Sequence, residues 1–244
     1  MRAPRIRATI ERRLLVNYRV DLDPLASILP PPFRPAPVQG VGMAGICLIR
    51  LSGIRPSFVP AVVGLTTENA AHRIAVEWDG PDGVARGVYI PRRDTSSRVV
   101  SILGGRAFPG WHHLADFAVD ERDGRYRVEL KSRDGEVSVT VSARRADAPM
   151  DGSVFASVED ASSFFRCAPV GYAATPAAGV FDGVELETCG WAIEPLIAEE
   201  VHSTFFDDPR RFPVGTALLD SAFLMERIRT TWTARPPLVS GARP

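Results

Sequence analysis

Lysine is almost missing from this chain: of its 29 basic residues, all but Lys131 are arginine. One side-chain amine remains for any chemistry that needs one. Cysteine is scarce as well. Cys47, Cys167 and Cys189 are odd in number and far apart, which excludes a disulfide framework and a CxxC metal knuckle and reads as buried thiols in a reducing compartment. Net charge is absent too, since 29 acidic residues cancel the 29 basic ones, leaving no global field to attract nucleic acid or an anionic membrane surface. The Arg-rich start holds only the short apolar run Leu14-Leu15-Val16, too brief for an export signal or a membrane span. There is no Walker A loop and no GxGxxG, and Ser221 has no GxSxG context, so nucleotide binding and a serine nucleophile lack support. These absences point to a cytoplasmic protein whose partner is a small-molecule ligand, with no nucleic acid, no membrane and no cofactor implied. A homo-oligomer is the expectation from base rates alone.

What is present is a globular composition, 45% hydrophobic and 24% charged over 244 residues, long enough for a substantial core. One domain over residues 1–244 is the default reading, with a core of about residues 12–232 and a frayed tail at 235–244, because no linker or repeat divides the chain. Period-two segments between Gly, Pro and Asp turns dominate and predict antiparallel sheet. They are Arg13–Val20, the two-face apolar run Val41–Leu51, and Asn69–Asp79 with Val84–Ile90 around the turn Gly80-Pro81-Asp82-Gly83. A meander of Trp111–Val119, Arg125–Ser132 and Glu136–Ala143 follows, then Val180–Ile193 and Glu199–Phe206. Ala217–Ile228 fits strand or helix. Three short helices are predicted: one capped by Asp23 and ended at Pro30, one from Asp94-Thr95-Ser96-Ser97 to Leu103, and one over Ser157–Phe165 with Glu159 and Asp160 in its first turn.

Three stretches, VNYRVDLDPLASILPPPFRP, GVYIPRRDTSSR and FPVGTALLDSAFLM, together resemble the YqjF-like family, domain of unknown function 2071, which is related to acetoacetate decarboxylase. The resemblance implies a mainly β (α+β) fold, an acetoacetate decarboxylase-like closed antiparallel barrel or cone with a few peripheral helices and a small-molecule pocket. In the decarboxylases a Tyr-Pro-Lys-Lys motif supplies a Schiff-base lysine beside a second lysine that lowers its pKa. The matching stretch here is Phe108-Pro109-Gly110-Trp111, and the family's active-site glutamate falls near Ala44. Decarboxylation through an enamine is therefore disfavoured, and Lys131, beside a hairpin turn, reads as a solvated residue rather than a substitute.

The residues themselves offer other chemistry. On a strand, Glu68, Ala70, His72, Ile74, Val76 and Trp78 share the more apolar face, expected to look inward and to place Glu68 and His72 at a pocket rim for acid–base work; the alternative is a structural hydrogen bond holding His72 in the core. His113 shares a face with Trp111 and could join them. A zinc site of His72, His113 and Glu68 has suitable donors but no recognised spacing, and no metal is assigned. Arg19, Arg92, Arg93 and Arg98 are candidates to hold a carboxylate or enolate, the alternative for Arg93 being an ion pair with Asp94 or Glu77. The reading is an acid–base enzyme with Glu68, His72 and His113 catalytic and Arg19, Arg93, Tyr89 and Trp111 around the substrate, lyase- or isomerase-like if it turns over at all. The alternative is a binding protein with an apolar pocket.

Overall fold

The computed structural model describes residues 5–60, 64–106 and 108–240. The alternating segments become twelve strands and three short helices: β1 (Ile6–Val20), α1 (Leu22–Ser27), β2 (Arg34–Pro35), β3 (Gly42–Pro56), β4 (Leu65–Gly80), β5 (Gly83–Thr95), α2 (Arg98–Leu103), β6 (His113–Arg122), β7 (Arg125–Ser132), β8 (Ser138–Arg145), α3 (Val158–Arg166), β9 (Val170–Ala174), β10 (Val180–Cys189), β11 (Glu194–Ser203) and β12 (Ala217–Val239). All twelve strands belong to one sheet. Two strands change partner along their length. β12 runs antiparallel to β1 on one side, while on its other side residues 222–224 pair with β11 and residues 229–239 with β10. β5 pairs with β4 throughout, and on its other side Val88–Ile90 meet β9 and Asp94–Thr95 meet β6. These switches close the sheet into a ring-like, twisted surface and give its long strands neighbours on both sides, which suppresses edge-to-edge association.

The turns follow their residues. Gly80 and Gly83 face each other across the β4–β5 hairpin, and Gly83 adopts φ 113°, a region closed to most side chains. Ser97 caps α2 by accepting from Val100 N–H, and Ser157 caps α3 by accepting from Asp160 N–H, each meeting one of the unsatisfied donors of a helix start. Asp94 does not join the α2 cap as expected; it stays inside β5, fully buried. Asp21, not Asp23, stands at the N-cap of α1. The meander begins at His113 rather than Trp111, and β9, too short to show periodicity, was not foreseen. The ambiguous 217–228 segment is strand, continuing through Arg235–Val239 where a frayed tail is expected, because β10 supplies ladder partners there. Residues 241–244 lie outside the described residues.

Both faces of the central strands are covered. On one face Leu14, Val16, Tyr18, Ile46, Leu48, Ile74 and Val76 pack with the meander's Val128, Leu130, Val139 and Val141. On the other, Leu15, Met43, Cys47, Ile49, Phe223 and Met225 meet Phe155 and Ala161 of the α3 region. This accounts for the continuous apolar run of β3, buried on both faces from Gly42 to Ile49. Of the cysteines only Cys47 is buried; Cys167 and Cys189 are exposed, Cys167 just past the end of α3 and Cys189 at the last position of β10.

Candidate functional site

The second face is not filled. A cavity of about 790 Å³ lies against it, within the range that encloses a drug-sized ligand. Sheet residues such as Ile49, Ile90, Val184 and Leu186 give it an apolar body, and Val100 and Leu103 of α2 and Phe164 and Phe165 of α3 close over it. Strand register explains its polar end. Leu15, Cys47, Ala71 and Arg93 form one row across β1, β3, β4 and β5, and Asn17, Gly45 and Arg73 form the next. Arg13 lies two residues along β1 on the same face, because side chains alternate along a strand. Ala71 between Cys47 and Arg93, and Ala75 beyond Arg73, are small enough to leave space.

Arg13, Arg73 and Arg93 all line this cavity, and among the described residues none of them makes a salt bridge. Arg13 Nε donates to Cys47 Sγ at 3.0 Å. Arg73 Nη2 donates to Asn17 Oδ1, whose Nδ2 donates in turn to Ser221 O and Oγ at 3.3 and 3.2 Å. Its Nε is buried with no partner, while its guanidinium stands 5.0 Å from the Phe165 ring centroid, a cation–π contact. Among the described residues Arg93 Nη1 donates to Pro109 O alone, at 3.5 Å; the nearby Asp182 carboxylate accepts from Gly110 N–H at 3.0 Å. Burial, helped by the Arg13 charge, pulls Arg73 down to about 10, and burial pulls Arg93 to about 10. Both remain cations at neutral pH. The Asp182 charge partly offsets burial at Arg93, whereas among the described residues no carboxylate acts on Arg73; desolvated positive charge without a hydrogen-bonded counter-charge is costly, and a carboxylate with its two acceptor oxygens matches guanidinium donors geometrically.

His112 stands at the same wall. Gly110 O lies 3.0 Å from its Nδ1, and a carbonyl can only accept, so Nδ1 carries the proton and Nε2 is left as an acceptor. Burial and then the Arg93 charge push its pKa down to about 3, so the ring is neutral at physiological pH. The lining contains no aspartate or glutamate among the described residues.

Of the residues expected from sequence, only Arg93 lies at this cavity. Its expected partners are engaged elsewhere: Arg92 takes Asp94 together with Asp134 and Glu136, and Arg34 takes Glu77. Glu68 and His72 lie on the opposite face of β4, because that more apolar face packs into the main core while the 790 Å³ cavity opens on the other. Glu68 bridges Arg12 and Arg50, both at 2.6 Å. His72 is fully buried against Phe205 and Phe206, with Nε2 3.3 Å from Ser203 Oγ and Nδ1 unpartnered. His113 is exposed, 2.9 Å from Asp134, and with the buried Tyr89 borders a separate cavity of about 330 Å³. Trp111 is 37% exposed, outside any strand. Arg19 donates to Gly152 O at 2.6 Å and Arg98 is exposed. Glu68, His72 and His113 therefore do not come together as metal ligands, and no group of three or more His, Cys, Asp or Glu is placed to hold a metal among the described residues. Lys131 is exposed on β7, away from the cavity.

Sequence reasoning missed Arg13, Arg73, Cys47 and His112. One signal was available: Arg73 sits between Ala71 and Ala75 on the less apolar face of its strand, a cation flanked by residues too small to cover it.

Comparison with known proteins places this architecture. No curated protein matches the chain in sequence. Solved structures similar to it include acetoacetate decarboxylase from Legionella pneumophila (13% identity, TM-score 0.60, covering 98% of this chain and 88% of that one). The enduracididine biosynthesis enzyme MppR in complex with pyruvate is also similar (14%, TM-score 0.58, 98% and 91%), as is an acetoacetate decarboxylase-like enzyme from Sphingomonas wittichii RW1 (11%, TM-score 0.57, 98% and 93%). At these identities the likeness is one of fold. The DUF2071 family, described as an uncharacterized conserved protein, matches residues 7–165, well over half of the chain and the part that carries β1, β3, β4, β5 and α3. The chain belongs to the DUF2071 family.

Proposed function

We propose that this protein is an enzyme acting on an organic carboxylate with a carbonyl group and a sizeable apolar body, by proton transfer and without an imine. The observation that carries this reading is the row-to-row cluster of three guanidinium groups that make no salt bridge among the described residues, Arg13, Arg73 and Arg93, on the wall of a mainly apolar cavity that Arg55 and Arg166 also line. The carboxylate would sit on these donors and supply a hydrogen-bonded counter-charge, and the apolar chain would fill the space beneath α2 and α3. Charge developing on an enolate oxygen would meet the same fixed donors, stabilisation that needs no reorganisation during reaction. His112 Nε2 would accept the proton. An imine is set aside because Lys131, the only lysine, is remote from the cavity. Acetoacetate decarboxylase and the pyruvate complex of MppR among the structural relatives add support by analogy, since acetoacetate and pyruvate are both oxo-carboxylates.

Titration calorimetry with octanoate against octanamide tests the reading. Octanoate is expected to bind at least ~10-fold more tightly, about 1.4 kcal/mol, and Arg73→Gln to remove most of that difference. Equal affinity for the two compounds would sink the proposal. Binding without turnover is the second reading, favoured by the lack of a carboxylate base in the described lining and by the weak basicity of His112. Deuterium exchange at C3 of 2-oxooctanoate in D₂O separates the two: exchange above the solvent rate, lost in His112→Ala, marks the enzyme, whereas binding with no exchange marks the carrier.

A further inference from the structure

We infer that Cys47 is a nucleophile directed at carboxylate-bearing electrophiles, so that the cavity is a covalent as well as a binding site. The inference rests on the carboxylate-binding reading and goes beyond it. Cys47 is 5% exposed, and the space it meets is the cavity. Register places it at the centre of the cations: Arg93 is in its own row with only Ala71 between, Arg73 is one row toward Asn17, and Arg13 is one row the other way. Arg13 Nε–H points at the sulfur from 3.0 Å, which holds the side chain in one orientation. Two of these cations are underused among the described residues: Arg73 Nε has no hydrogen-bond partner and Arg93 has a single long hydrogen bond. A carboxylate captured by them would therefore hold its own carbon chain beside Sγ, which raises the effective concentration of an electrophile carried on that chain.

For a carbonyl compound the step is an addition. An S–C bond forms at the carbonyl carbon, the C=O π pair moves to oxygen, and the thiol proton ends on that oxygen; the product is a hemithioketal, and no oxidant, reductant or third reactant is needed. For a haloacetate the same sulfur forms an S–C bond, halide leaves with its electron pair, and the proton passes to solvent.

Cys167 and Cys189, both exposed, are controls within the same molecule. The intact protein is treated in parallel with iodoacetate and with iodoacetamide, and labelling at each cysteine is followed by peptide mass spectrometry. At Cys167 and Cys189 the neutral reagent should be the faster. At Cys47 the order should reverse, with iodoacetate at least ~10-fold favoured relative to the two controls, and the reversal should collapse in Arg13→Gln and in Arg73→Gln. Circular dichroism of each variant verifies the fold. Cys47 unlabelled by both reagents, or labelled with the same preference as Cys167 and Cys189, overturns the inference. The carboxylate-binding reading is judged separately by calorimetry in Cys47→Ser, which keeps the arginines: octanoate binding there with no anion preference at Cys47 in the unaltered protein defeats the nucleophile and leaves the binding site standing.

Discussion

Arg93 occupies the space that a side chain at Gly110 would need. A Cβ built at Gly110 would collide with Arg93 Nη1, and Gly110 holds φ 99°, so the residue is glycine for two reasons: backbone conformation and the close approach of a guanidinium. The same glycine donates its N–H to Asp182 and offers its carbonyl to His112 Nδ1. One position therefore seats the cation, orients the acidic neighbour and sets the histidine tautomer.

Gly110→Ala is expected to destabilise the protein by about 1 kcal/mol or more, because a non-glycine residue is strained at that φ and the methyl group meets Arg93. Octanoate affinity should fall several-fold as the guanidinium is displaced. Thermal melts and calorimetry on the same preparation check both effects; unchanged affinity would mean that Arg93 does not contact the carboxylate.

His72 should make the fold acid-sensitive. Burial, then the Arg92 and Arg211 charges, depress its pKa from 6.5 to about 3. The unfolded chain takes up a proton as pH falls below 6.5 while the folded chain does not until about 3. The stabilising contribution is therefore complete above pH 6.5 and is lost across that window, with a slope of about 1.4 kcal/mol per pH unit at most. His72→Phe, beside Phe205 and Phe206, should flatten the pH dependence of urea unfolding between pH 6 and 4. An identical slope in the variant would show that other groups set it.

Glu68→Gln separates structure from ligand binding. Arg12 is 1% exposed and is held by Glu68 and Glu121; removing one carboxylate leaves a buried cation partly paired, at a cost of about 3 kcal/mol. Denaturant midpoints should fall accordingly, while octanoate affinity stays within about twofold because Glu68 is on the face of β4 away from the cavity. A large loss of affinity with intact stability would return Glu68 to the site.

Much of the architecture could be read without coordinates. Period-two alternation located most of the strands, Gly80-Pro81-Asp82-Gly83 located the hairpin, and Ser97 and Ser157 mark the helix starts, because each of these is decided by neighbours within a few residues. What the alternation could not tell was which face of β4 met a ligand. Hydrophobicity identifies the side that packs most tightly, and Val76 and Trp78 do pack into the main core; the larger apolar cavity needs the opposite, small side chains and a polar group left uncovered, as Ala71, Arg73 and Ala75 provide.

By itself the sequence determined the strand periodicity, the turns, the exclusion of a lysine-rich site and the family. Only the tertiary structure decided that Arg13, Cys47, Arg73, Arg93 and His112 converge. They are brought together by the register of β1, β3, β4 and β5, by the 108–112 loop, and by α2 and α3 closing over one face, contacts between residues distant in the chain that no local pattern encodes.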